Sequence, residues 1–259
     1  MAYLRNPLAW YKRYVEEVFD TPSSPAGVVG RAAHMALQHY YELNLKPEQR
    51  EVAIVFGLQY LKNVADFEIN FGKAKSKRAQ KEKRVSMERE YLQAINFYLA
   101  KPPRHKVLGV EVKGTVRVQG LALPIKAVSD LVVESRVERG ALDIIDHKFV
   151  DSFSPLKSGK SLFILQALFN YYTVTTLFDK PVRRFVVYEC KKSRNADGSP
   201  QLRRYVINYA QCADDFRVFH RLLKDATQEI TRTRVFLPNP SDMFEGENSF
   251  DIYRLGLLE

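Results

Sequence analysis

The sequence predicts an α/β protein, a mixed central sheet flanked by helices, with a helical elaboration at the N-terminus. Three observations carry that expectation. Apolar residues recur at helical spacing through the first hundred positions, the period shortens to that of strands from Lys106, and three strand-like runs are then followed by a helix, two strands and a helix. At 259 residues the chain is long enough for one well-buried core. No linker or internal repeat divides it, so residues 1–259 are read as a single domain with a helical insertion at about 45–100.

Taken in order, Tyr3, Leu4, Leu8, Trp10, Tyr11, Tyr14, Val15, Val18 and Phe19 give residues 3–19 the pattern of a short amphipathic helix whose aromatics belong to a core. The turn-rich segment from Asp20 to Gly27 leads into a helix over 27–41, with Ala33, Leu37, Tyr40 and Tyr41 on one face and His34 one turn before Gln38. Residues 51–67 and 86–99 are helical in period, and Lys101-Pro-Pro-Arg104 ends the second. Between them, Gly72 to Arg84 holds seven cations (Lys73, Lys75, Lys77, Arg78, Lys81, Lys83, Arg84) and one acid. Such a run is a solvated helix face, a mobile loop, or an arm that tracks phosphates.

Residues 107–118, 121–133 and 142–150 read as strands joined at Gln119-Gly120 and by a Glu138-Arg-Gly140 turn. A Ser/Pro/Gly/Lys loop over 152–161 precedes a helix over 162–178. Two further strands, 182–190 and 202–207, flank an Asn195-Ala-Asp-Gly198 turn, a long helix occupies 210–234, and the tail from Phe236 is irregular.

Lys+Arg 40 against Asp+Glu 30 gives a net charge of +10, which favours a polyanionic partner, nucleic acid or an anionic membrane surface. The membrane option lacks an exposed apolar amphipathic stripe. No run is long enough for a signal peptide or a membrane span, so a soluble, cytoplasmic protein is expected. Cys190 and Cys212 are too few for a disulfide framework or a four-cysteine metal site, and read as packing residues.

The chemistry is concentrated in Ala141 to Val150. This apolar strand carries Asp146 and Lys148 two residues apart, so both project from one face. Burying charges is costly unless they are paired or bind a metal. A second carboxylate, Asp130, lies in the preceding strand, and a hairpin would set it beside Asp146 with Lys148 alongside. Two acids and a lysine suit a hard cation on which phosphodiesters are hydrolysed. His147 points to the opposite face by the pleat, so its imidazole is not expected to be a ligand.

With these pieces in order, the chain resembles the PD-(D/E)XK nucleases of the RecB-like group, which includes the AddB-type domains and the exonucleases of CRISPR adaptation. The resemblance is carried by Gly30-Arg-Ala-Ala-His34, by Glu111 opening the first strand, by Asp130, by Ile145-Asp146-His147-Lys148, and by Gln166 opening a helix motif. It departs from the pattern at Asn170, where tyrosine is usual, and at Ala127, where glycine is often found.

The resemblance implies a restriction-endonuclease-like core. It implies Mg²⁺ or Mn²⁺ held by His34, Asp130, Asp146 and the backbone carbonyl of His147, catalysis by Lys148 with Gln166, and a supporting role for Glu111. Arg31, Tyr172, Lys73, Lys75, Lys77 and Arg78 would contact nucleic acid. Its cluster-bearing relatives have four cysteines that this chain lacks, so no iron-sulfur cluster is expected, with Phe244, Phe250 and Tyr253 pinning the tail instead. The implied activity is a metal-dependent deoxyribonuclease, an exonuclease acting on DNA ends or single strands in recombination, repair or viral DNA metabolism. The alternative is a catalytically silent DNA-binding module that kept the fold.

Overall fold

A computed structural model describes residues 3, 6–18, 22–155, 159–196, 201–232 and 235–237. The expected packing of Phe244, Phe250 and Tyr253 lies outside these residues, as do Asp197 and Gly198 of the Asn195 turn and residues 156–158 of the loop that follows the third strand. The chain divides into two compact units. One comprises Met1–Pro22, Gly120–Ala122 and Arg221–Glu259; the other comprises Ser23–Gln119 and Leu123–His220.

In the first unit, helix α1 (Pro7–Tyr14) is shorter than the expected 3–19 span. Asn6 caps it by accepting from the Ala9 amide, Pro7 supplies the first turn, and the chain leaves helical geometry before Glu17, whose φ is +58°. The aromatic residues do form packing contacts. Phe236 stacks on Tyr11 at 4.6 Å, and Trp10 meets Tyr3 edge-on at 5.3 Å.

The second unit holds the sheet, with strands β1 (Val107–Val116), β2 (Ile125–Glu134), β3 (Leu142–Val150), β4 (Val182–Lys191) and β5 (Leu202–Asn208) in that spatial order. Strands β1, β2 and β3 form an antiparallel meander. Strand β4 runs parallel to β3 after a crossover through helix α5 (Gly159–Phe178), and β5 pairs antiparallel at the far edge. Strand β2 starts later than expected, immediately after Pro124, which has no amide to donate to a ladder.

Helices α2 (Pro25–Glu42), α3 (Arg50–Asn63) and α4 (Lys77–Ala100) share one apolar core with Leu131, Val133, Ile145, Val186 and Tyr188 of the sheet. Helix α5 packs on β1 and β2 and also meets β4 and β5, and α6 (Ala213–Ile230) follows β5. The α/β architecture with N-terminal helices is therefore the one expected. No helix among the described residues is long and apolar enough to cross a membrane.

The basic run is split by structure. Ser76 caps α4 by accepting from the Ala79 amide, so Lys77 onward forms its first turns. Arg84 is no free cation. Its guanidinium donates to Asp66 at 2.8 Å and to the carbonyls of Leu61 and Val64, closing the C-terminus of α3. Arg84→Met is expected to cost about 1–3 kcal/mol, because charged donors to otherwise open carbonyls are removed. Urea unfolding with an unchanged m-value is the measurement; a shift in midpoint too small to detect would mean water caps the helix equally well.

Candidate active site

Strand β3 brings Asp146 into the interior, 2% exposed, and pairs it with its neighbour on the same face: Lys148 Nζ lies 3.0 Å from Oδ1 and 2.8 Å from Oδ2. From α5, Gln166 Nε2 donates to the same Oδ1 at 2.5 Å. Oδ2 sits in ion-pair range of the ammonium but accepts no aligned hydrogen bond, which makes it a buried acceptor with capacity to spare.

Asp130 does not simply face Asp146 across a regular hairpin. The β2–β3 ladder has its last pair at Leu131 and Ile145, and beyond it Asp130 Oδ2 accepts the His147 backbone N–H at 2.7 Å. Ser129 bonds Asn170 of α5 while Leu131 joins the core under α2 to α4, so two residues of equal parity lie on opposite faces. The strand is wrung at Asp130. Opposite it on β1, Glu111 has a φ of +46°, a left-handed conformation that costs a non-glycine residue about 1–3 kcal/mol.

The distortion has a chemical outcome. His34 from α2, Glu111 and Asp130 each offer a ligand atom within 4.8 Å of the others, and this is the group of possible metal donors among the described residues. His34 Nδ1 is 3.4 Å from Asp130 Oδ2. Glu111 thus stands closer to the centre of the set than its supporting role in the sequence suggests, while Asp146 stands beside it, tied to Lys148 and Gln166. The N–H and C=O of a strand residue point to the same edge, so the His147 carbonyl is also directed to the side where the β2 ladder has ended.

Three carboxyls in one place respond differently. Burial pushes Asp146 above the usual carboxylate range and the nearby Asp130 charge adds to this, against the pull of Lys148. Burial pushes Glu111 up as well, and Asp130 reinforces it. Burial acts upward on Asp130 too, but the His147 side chain, the charge of His34 and the His147 amide together outweigh it and hold this carboxyl well below its ordinary value. Asp130 is the permanent anion of the group, and a cation would relieve the other two.

The remaining expected contacts are dispersed. Arg31 is exposed on α2, one turn before His34 and on the same helix face. Lys73, Lys75, Lys77 and Arg78 are exposed, with Arg78 paired to Glu82 at 2.9 Å. Tyr172 is not at the acids. It stacks on Phe219 and meets Phe216 and Tyr171 edge-on, because six positions along α5 turn it off the Gln166 face. Asn170, the departure from the usual tyrosine, is buried and bonds Ser129 Oγ at 2.9 Å, tying α5 to β2 next to Asp130.

The loop after β3 is held by buried Glu189, which accepts from the Ser154 amide at 3.1 Å and from Arg203 at 2.6 Å. Sequence reading missed Tyr98, whose hydroxyl lies 2.9 Å from His147 Nε2. It sits in an ordinary apolar stretch of α4 and carries no signal of its own.

Adjacent strands thus bring two aspartates and a lysine next to a His34, Glu111 and Asp130 group that could hold a cation, on a mixed sheet flanked by helices. The family model of the PD-(D/E)XK nuclease superfamily matches residues 1–243, and the chain belongs to that superfamily. Its members are nucleases that use divalent metals, typically Mg²⁺ or Mn²⁺, and the His34, Glu111 and Asp130 group is a possible acidic site for one. No curated protein matches the chain. Among solved structures, one described as "Crystal structure of SSO0001" is similar over 86% of this chain and 84% of its own, at 15% identity and a TM-score of 0.31.

Proposed function

We propose that this protein is a Mg²⁺- or Mn²⁺-dependent deoxyribonuclease of the RecB-like group, an exonuclease that hydrolyses phosphodiesters at DNA ends or in single strands during recombination, repair or viral DNA metabolism. The observation that carries the reading is Asp146: a buried carboxylate gripped by Lys148 and Gln166, with an unsatisfied oxygen, beside the His34, Glu111 and Asp130 group. His34, Asp130, Asp146, Glu111 and the His147 carbonyl would hold the ion, a donor set dominated by oxygen and suited to a hard cation. The bound ion supplies charge neutralisation at the phosphate and acidifies a water.

The chain's own groups do the rest. Lys148 Nζ, anchored on Asp146, orients the attacking water and donates to the phosphate oxygen that gains charge. Gln166 keeps Asp146 from rotating away from that ammonium. Arg31 lies on the His34 face of α2, where it would meet the backbone of the strand being cut, and the exposed cations Lys73, Lys75, Lys77 and Arg78 extend the phosphate contacts.

End-labelled linear, nicked and circular DNAs incubated with Mg²⁺ or Mn²⁺ test the proposal. Loss of end label from linear DNA with closed circles left intact is the expected result, whereas cutting of closed circles would replace exonuclease by endonuclease. Binding should weaken steeply with salt. Changing Lys73, Lys75, Lys77 and Arg78 to glutamine is expected to reduce the log–log salt slope by about 0.7–0.9 for each phosphate no longer neutralised. An unchanged slope would place the DNA elsewhere.

A further inference from the structure

The His147 side chain, expected to be a bystander on the far face of β3, has a partner on every side. Its ring is 1% exposed and lies roughly parallel to those of Tyr41 and Tyr188, at 6.2 Å and 6.1 Å. Nδ1 is 3.4 Å from Asp130 Oδ2, and Nε2 is 2.9 Å from Tyr98 Oη, which in turn lies 3.4 Å from Tyr41 Oη.

The direction of each proton follows from the carboxylate outward. An ionised carboxylate only accepts, so Nδ1 carries the hydrogen toward Asp130. In the neutral ring Nε2 is then the acceptor, which makes Tyr98 its donor and leaves the Tyr98 oxygen free to accept from Tyr41.

We propose that His147 and Tyr98 form a positioning relay that fixes the Asp130 carboxylate for metal binding. The inference rests on the reading of Asp130 as a metal-holding residue. His147 meets Asp130 twice, through a backbone N–H hydrogen bond at 2.7 Å and through Nδ1 at ion-pair range, 3.4 Å, and both contacts fall on Oδ2. Oδ2 is also the Asp130 atom within 3.4 Å of His34 Nδ1, so groups on β3 and α2 converge on this one oxygen and fix the carboxylate's orientation. Tyr98 acts one step further back by fixing the tautomer that can donate to Asp130. Neither residue needs to touch substrate, so both are positioning residues.

The test is calorimetric titration of the full-length protein with Mn²⁺ alone, which needs no turnover. Asp130→Ala should abolish binding, and His147→Leu should weaken it by roughly 10- to 100-fold. His147→Asn, whose amide can still donate toward Asp130, should recover most of that affinity. Tyr98→Phe should weaken binding by about 2- to 10-fold in the unaltered chain and leave it unchanged in the His147→Asn background, where the tautomer no longer exists. This last comparison decides the matter even if His147→Leu fails to fold.

An equal effect of Tyr98→Phe in both backgrounds, or none in either, overturns the relay. Binding abolished in Asp130→Ala but untouched in a natively melting His147→Leu overturns the relay while keeping the metal site. Binding indifferent to Asp130→Ala overturns the site itself and the relay with it.

Discussion

Asp146→Asn is expected to reduce Mg²⁺- or Mn²⁺-dependent DNA cleavage by roughly 10³-fold or more while leaving the thermal midpoint of the metal-free protein unchanged or higher. The two halves of this expectation come from the same burial. Asp146 is nearly inaccessible and its carboxyl is pushed upward, by burial first and by Asp130 next. A carboxyl whose folded-state pKa exceeds its unfolded value favours folding in its protonated form, so its charge costs stability as pH rises through the unfolded and then the folded value.

Asparagine removes that cost and keeps an oxygen for Gln166 Nε2, while Lys148, a third exposed, can turn to solvent. Sites built for ions are often strained without them, which is the usual origin of such a trade between stability and activity. Steady-state cleavage and a melting curve without metal check the two halves separately. Full cleavage by the variant would remove Asp146 from the chemistry. A melting point several degrees lower would make its pairing with Lys148 a structural salt bridge.

Gly57→Val is expected to destabilise the protein by about 3 kcal/mol, the upper range for forcing atoms into a packed core. Even a bare Cβ at Gly57 would lie 2.5 Å from the Ala32 carbonyl oxygen and 2.9 Å from Ala36 Cβ, and would collide with the Tyr91 hydroxyl. That hydroxyl donates to the Ile54 carbonyl at 2.7 Å, so it has little room to retreat. Helices α2 and α3 cross at this point, with Ala32 and Ala36 on either side of His34 in the chain, and separating them would also draw His34 from Asp130. Urea unfolding gives the first effect, and Mn²⁺ affinity at low denaturant the second. Gly30→Ala is the contrast on the same helix. Nothing lies within 4 Å of the added carbon, so stability should hold or rise by about 0.5–1 kcal/mol. Equal losses at both positions would contradict the close crossing.

The residues that sequence alone could identify are those that break a pattern. Asp146 and Lys148 stand out because charge is rare in a strand this rich in buried aliphatic residues, although Asp143 in the same strand breaks the pattern too and turns out to be an ion pair with Arg184; Asp130 stands out for the same reason one strand earlier. The order of elements was legible because the hydrophobic period changes where helices give way to strands. Boundaries were less so, since they depend on single capping contacts: Asn6 and Ser76 set the starts of α1 and α4. The site's finer arrangement was not legible at all. The parity rule that puts Asp130 and Asp146 on one face assumes a regular ladder, and the ladder ends where the acids begin. Likewise, nothing local distinguishes Tyr98 from a core tyrosine, because its partner is 49 residues away.

The left-handed turn of the chain at Glu111 has a second consequence, for the behaviour of the molecule among its copies. Strand β1 lies at the margin of the sheet, and such a margin offers free amides and carbonyls on which another chain can build. Here that margin is interrupted twice within five residues, by a register shift between Val107 and Gly109 and by the backward twist at Glu111. An incoming strand would find no straight run to follow through this part of β1. The same left-handed residue that sets Glu111 beside His34 and Asp130 therefore also interrupts the run of β1 that another chain's strand would have to follow.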